Sequence, residues 1–363
     1  MENEMWARNR ICDLFSIDLP ILQAPMAGSS GLDMALAVSA AGGLGALACA
    51  SMDADDLSNA LTAFRSKSDR PVNVNFFAHQ APAHDPRRDT EWLARLAGYY
   101  DELGLALPDS LRSSPVIGFD RSLCEVVEAF APPVVSFHFG LPAQTLVSRV
   151  KAVGCRVISS ATTVEEARWL EANGCDAIIA QGYEAGGHRG MFLSDDIATQ
   201  IGTFSLVPQI ADAVSVPVIA AGGIADGRGT AAAFVLGACA VQVGTAYLFT
   251  DEATISPIYR KVLSASAPNL TALSNVYSGR PARVLANRMV LELGPMSQDA
   301  PSFPNGFAAS GPLRAACEDR ESCASGAYYS GQSSFLCRRT TAFELTKSLA
   351  ADARRQLVSC DAG

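Results

Sequence analysis

The residues with the most chemical potential lie in "QGYEAGGHRG", residues 181–190, where two glycines stand directly before His188. Glycine lacks a Cβ, so at Gly186 and Gly187 the backbone can pass close to a flat ligand or take a left-handed turn. The imidazole that follows titrates near neutral pH and can take a proton from a carbon acid. His188 is therefore the candidate catalytic base. His138, in "SFHFG", is a second imidazole and is expected to position substrate. His79 and His84 fall in a polar stretch and are expected at the surface. Arg280, Arg283 and Arg288 in "SGRPARVLANR" could attract an anion, or could equally make loop salt bridges. Tyr328, Tyr329 and Gln332 could reach the same pocket from the tail.

Such chemistry needs rigid elements to hold it. Short apolar runs at 20–23, 44–49, 71–76, 134–138, 156–159, 177–181, 216–221 and 240–243 alternate with helix-like stretches. The runs are rich in Val, Ile and Ala without clean alternation, which is the pattern of strands buried on both faces in a parallel sheet. Eight such units predict an α/β fold, a (β/α)8 TIM barrel over residues 1–250. The helix in "TVEEARWLEANG" is expected to start at Thr162–Thr163 and stop at Gly174. Residues 31–50 are apolar enough to resemble a membrane span. Asp33 and the glycines Gly42, Gly43 and Gly45 divide them instead into a helix and a short strand. Two segments break the alternation. Residues 78–118 form a polar excursion with a helix inside it. Residues 251–363 are expected to form a substrate-covering lid, with C-terminal helices packing back on the barrel.

In a parallel barrel the chemistry sits at the carboxyl ends of the strands. "AAGGI", with Gly222 and Gly223, and "QVGTA", with Gln242, Gly244 and Thr245, end the seventh and eighth strands, where barrels bind phosphate through loop N–H groups. Asn75 and Gln181 can hydrogen-bond a polar ring edge or a polyol, and the backbone around Ala24 and Met26 can lie against a flat ring. No GxGxxG follows a strand, so a Rossmann dinucleotide site is not supported. A phosphate, a polyol and a flat heteroaromatic ring together suggest FMN.

Composition narrows the partners. The net charge is −9 over 363 residues and no segment is strongly basic, which excludes nucleic acid as a partner. The expected partner is a small molecule, without a membrane, in a monomer or homodimer. Ten cysteines lie in apolar surroundings with no CxxC pair, as reduced core thiols of a cytoplasmic protein would. Cys317, Cys323 and Cys337 lie closer together, but no histidine follows to complete a zinc site, and no metal is expected. The first fifteen residues carry acids and no apolar core, so no signal peptide is expected.

The chain resembles the nitronate monooxygenases, especially their first class. The resemblance rests on "LPILQAPMAG", "AAGGLGALA", "RPVNVNFF", "VVSFHFGLP", "QGYEAGGHRG", "VPVIAAGGIADGRG", "ACAVQVGTAYL" and "SGRPAR", in order over roughly residues 17–285. After "PMAG" the chain reads "SSGL", where that family commonly has a Ser/Thr-Pro step. The resemblance implies a barrel that holds FMN noncovalently, with flavin contacts at Met26, Asn75, Gln181, Gly186, Gly223 and the run from Gln242 to Thr245, and with His188 as base. It implies a monooxygenase that oxidises alkyl nitronates, and nitroalkanes where accepted, with O2 to carbonyl compounds and nitrite. The alternative is an FMN-dependent NAD(P)H:quinone or enoyl-thioester reductase of the same barrel superfamily. The arginine after the histidine in "EAGGHRG" favours the nitronate class.

Overall fold

The computed structural model describes residues 9–83, 85–111, 116–265, 270–320 and 324–361. The strands are β1 (Ile21–Gln23), β2 (Gly45–Ala48), β3 (Val72–Phe77), β4 (Val134–His138), β5 (Arg156–Ala161), β6 (Ala177–Gln181), a two-residue β7 (Gly187–His188), β8 (Val218–Ala221) and β9 (Ala240–Val243). All but β7 form one parallel sheet in the order β1-β9-β8-β6-β5-β4-β3-β2. A parallel bridge between Leu22 and Leu44 joins its two edges and closes the barrel. The seam is short of ladder bonds, and a side chain makes up the difference. Gln23 Nε2 donates to the Ala46 carbonyl at 3.1 Å, and its Oε1 accepts from the Ala46 N–H at 3.0 Å. A buried amide is tolerated there because it is fully paired.

The strands fall where the apolar runs are, within two residues at each end. The expected caps also form. Thr163 accepts from the Glu166 N–H ahead of helix Val164–Ala172, and Gly174 follows that helix with φ +97. Residues 31–50 give helix Leu32–Ala40 and then β2. No helix among the described residues is long and apolar enough to cross a membrane.

The excursion contains helix Pro86–Glu102, with Asp85 as its N-cap and Pro86 in its first turn. Trp92, Leu96, Tyr99 and Tyr100 recur at helical spacing and are buried. They join Val276, Met289, Val290, Ala309 and Leu313 in an apolar cluster separate from the barrel core. Tyr100 Oη donates to the Ala309 carbonyl at 2.7 Å and ties the excursion to helix Gly306–Asp319.

The tail differs from the helix-and-loop expectation in one respect. It supplies β10 (Thr271–Ser274) and β11 (Ala282–Leu285), an antiparallel pair. β11 then pairs with β7, setting Ala282 opposite His188 and Arg283 opposite Gly187. Strands of two and four residues are too short to show a period in the sequence, so the pairing became visible only in three dimensions. The final helix, Ala342–Asp361, lies outside the barrel against helices Gly227–Val235 and Leu32–Ala40. Its approach is close: a Cβ on Gly227 would stand 2.2 Å from Asp352 Cβ.

Gly227→Val tests whether this docking carries stability. Overpacking costs about 1–3 kcal/mol. In a chain of this size that corresponds to a fall in Tm of roughly 1–4 °C. The final helix should also become the first site of limited proteolysis. An unchanged Tm would mean that the helix is not held through this contact.

Candidate active site

The barrel's carboxyl-end loops surround a cavity of about 420 Å3. Ala24, Met26, Asn75, His138, Gln181, Gly186, Gly187, His188, Gly222, Gly223, Gln242, Gly244 and Thr245 all line it. These residues are up to 221 positions apart in the chain (245 − 24) and meet only because parallel strands deliver their ends to one rim.

His188 is fixed chiefly through its backbone. Its carbonyl accepts from Gln181 Nε2 at 3.0 Å and from His138 Nε2 at 3.1 Å. Gln181 Oε1 accepts from the Gly190 N–H at 2.7 Å, so both ends of that amide are occupied in holding the loop. His138 Nε2 faces a carbonyl and must carry the proton, which leaves Nδ1 to accept from Ser160 Oγ at 3.1 Å. His138 is thus a neutral brace under His188. The His188 ring meets Ser278 Oγ through Nε2 at 2.9 Å. Among the described residues Nδ1 has no hydrogen-bond partner.

Both imidazoles are held neutral. Burial lowers His138 to about 4, with Arg280 and Arg189 adding to the shift and the bond to the His188 carbonyl opposing it. Burial lowers His188 to about 3, with His138, Arg280 and Arg314 reinforcing it. Among the described residues no carboxylate lines the cavity to favour an imidazolium.

The neighbouring Arg189 is fully buried. It donates to the carbonyls of Gly182 and Gln181 at 2.7 Å each, and its Nε reaches Gln200 Oε1 at 2.8 Å. Arg283 holds the loop from the other side, with Nη2 2.7 Å from the Tyr183 carbonyl and Nη1 3.1 Å from Thr271 Oγ1. Arg280 lies over the Phe139 ring at 4.2 Å and donates to the Met191 carbonyl. Arg288 is exposed and paired with Glu102 and Glu292. None of these three arginines lines the cavity.

The glycines have separate causes. A Cβ on Gly186 would stand 2.5 Å from the Gly331 N atom, so the close approach there is to the chain's own tail. Gly222 and Gly223 take φ values of +111 and +72 in succession, which only glycine adopts readily. Their turn leaves the N–H groups of Gly223 and Ile224, like that of Gly244, without an acceptor among the described hydrogen bonds. Thr245 Oγ1 accepts from the Gly331 N–H at 2.9 Å and retains its own hydrogen. Gln242 Oε1 is buried without a partner.

The surface expectation for His79 is corrected. Phe303, from the tail, covers it edge-on at 4.9 Å, and burial lowers it to about 4. His84 and Cys323 lie outside the described residues. Cys317 and Cys337 are free and buried, and no group of three potential metal ligands occurs among the described residues. Of the tail candidates, Tyr329 reaches the cavity, with its ring 5.6 Å from His188. Tyr328 packs in the core, and Gln332 is exposed. Phe77, Ser278, Phe307 and Arg314 also come to the site; Phe77 ends β3 and Ser278 opens the "SGRPAR" stretch, whereas Phe307 and Arg314 lie on helix Gly306–Asp319 with no local signal.

The model of the family described as "Nitronate monooxygenase" matches residues 8–352. The chain belongs to the nitronate monooxygenase family. The nitronate monooxygenase of Pseudomonas aeruginosa is 40% identical over 349 residues, covering 95% of this chain and 99% of that one. That of Paraburkholderia phytofirmans is 39% identical over 353 residues, 96% of each. Among solved structures, nitroalkane oxidase from Streptomyces ansochromogenes superposes with a TM-score of 0.89 at 37% identity, over 97% of this chain and 99% of that one. FabK from Thermotoga maritima gives 0.74 at 29%, over 98% and 99%. As a member of the nitronate monooxygenase family, this protein is an oxidoreductase, and the barrel cavity is its candidate active site.

The three depressed histidines give a pH prediction. Their folded values lie near 4, 4 and 3, against 6.5 for a free imidazole. The unfolded chain therefore binds more protons below pH 6.5, and the associated stability is present above 6.5 and lost as pH falls toward 4. Tm should drop between pH 7 and pH 5, a window above the carboxylate range, and His79→Asn should flatten the slope. A flat Tm over that window would mean that the imidazoles charge inside the fold.

Proposed function

We propose that this enzyme is an FMN-dependent monooxygenase that oxidises alkyl nitronates with O2 to carbonyl compounds and nitrite. The observation that carries the reading is His188, a neutral imidazole braced on the wall of a cavity that is also lined by residues with unpaired main-chain donors. The residues suit FMN. The N–H groups of Gly223, Ile224 and Gly244 would hold its phosphate, with Thr245 adding a hydroxyl. Gln242 Oε1, buried without a donor, would accept a ring N–H, and Ala24, Met26 and Asn75 would lie along the ring and side chain. Bound FMN supplies electron transfer from the nitronate carbon and reaction with O2.

The chain's own residues bind, orient and handle the proton. His188 takes the α-proton of a neutral nitroalkane, where one is accepted, and is ready because it is unprotonated at working pH. With the proton on Nε2, toward Ser278, Nδ1 carries the basic lone pair. His138 acts through the His188 carbonyl as a positioning residue. Phe77 and Phe307 present apolar walls that exclude water. In this reading residues 1–250 are the cofactor barrel and 251–363 the cover, working in the cytoplasm. The reductase alternative draws on the likeness to FabK; nitrite release from a nitronate without NAD(P)H would set it aside.

Two variants test the assignments. His188→Asn should nearly abolish turnover of a nitroalkane and leave much of the activity on its nitronate. The two should diverge by about 10²–10⁴-fold at equal flavin content. Equal losses on both substrates would remove the base role. A Cβ at Gly244 would sit 3.5 Å from Ala24 Cβ, so the backbone accommodates Gly244→Val while its methyls enter the cavity beside the Gly244 N–H. The variant should fold and purify largely without FMN, and full flavin content would mean that the phosphate sits elsewhere.

A further inference from the structure

Among the described residues, Arg314 is the one charged side chain that lines the cavity. It sits on helix Gly306–Asp319, two turns after Phe307, which lines the same space. Unlike Arg280, Arg283 and Arg288, it makes no hydrogen bond and no ion pair among the described residues. Glu318, one turn further along the helix, does not pair with it and does not line the cavity. A second unused donor lines the same cavity. Tyr329 Oη is buried without a hydrogen-bond partner, on a ring 5.6 Å from His188. A partly buried cation and a buried hydroxyl without acceptors are costly unless something occupies them. The pair faces the same space as His188, and no carboxylate lines that space to satisfy it.

We propose that Arg314 and Tyr329 form the anion clamp of the active site, binding the two negatively charged oxygens of a nitronate. The guanidinium fork matches a planar O–N–O group, and the phenol supplies one further donor. The nitronate identity of the anion rests on the functional reading above; the clamp itself rests on the unpaired donors. A neutral nitroalkane carries no net charge and gains less from Arg314. The residue therefore discriminates between the two substrate forms, opposite in sense to His188, which only the neutral form needs.

The test uses flavin-loaded protein, with nitrate as an inert planar anion, in calorimetric titrations of the wild type, Arg314→Met, Arg314→Lys and Tyr329→Phe. Loss of a charge-assisted hydrogen bond should weaken nitrate about 10- to 100-fold in Arg314→Met, with partial recovery in Arg314→Lys. Tyr329→Phe should weaken it about 3- to 10-fold. KM for ethyl nitronate should rise in parallel with kcat little changed, as when binding common to ground and transition states is removed, and KM for nitroethane should move less. Absence of saturable nitrate binding to the wild type overturns the clamp. So does an Arg314→Met variant with wild-type nitrate affinity, or with an unaltered nitronate KM. Arg314-dependent nitrate binding without nitrite release from any nitronate would leave the clamp standing and remove the nitronate reading.

Discussion

Two side chains from two strands converge on one main-chain oxygen, the carbonyl of His188. Gln181 reaches it from the end of β6 and His138 from the end of β4. A loop leaving a barrel strand has no intrinsic reason to hold one conformation. Here its turning point is bonded to the rigid sheet on both sides. The same Gln181 amide also takes the Gly190 N–H, so three residues of the loop are set by one side chain and its neighbour. The His188 ring inherits its position from this carbonyl, and the rim of the cavity is built outward from it.

The buried arginines extend that constraint. Arg189 and Arg283 direct most of their donors at carbonyls of residues 181–183 and the rest at Gln200 and Thr271, and burial lowers both from their usual values. They work as multi-pronged hydrogen-bond donors to the loop, and their positive charge also disfavours protonation of the nearby imidazoles. The pocket is consequently apolar and aromatic around neutral histidines, with positive charge beneath it.

The tail completes the site through backbone contacts. β11 lays a short antiparallel ladder on β7 and brings Ser278 to the ring of His188. Gly331 then packs backbone-to-backbone on Gly186 and donates to Thr245, joining the histidine loop to the last barrel strand. The tail and the histidine loop are one hydrogen-bonded unit. For this reason the site cannot be described from the barrel alone.

The sequence by itself determined the eight buried strands, because parallel strands covered on both faces need continuous apolar runs and leave no ambiguity of face. It also determined the glycine turns at Gly222–Gly223 and the caps at Thr163 and Gly174, where local backbone chemistry admits few residue types. The residues lining the cavity from strand ends were legible for the same reason: the strand period says where each strand stops. What each side chain does there was decided by tertiary structure. Gln181 reads as a cofactor ligand, yet both ends of its amide bond the histidine loop. Arg280, Arg283 and Arg288 read equally as anion sites or as loop salt bridges and prove to be paired or stacked, while the unpaired one, Arg314, lies on a distant helix with nothing local to mark it. Hydrogen-bond partners and unsatisfied donors depend on groups tens to hundreds of residues away, and no local pattern in the chain records them.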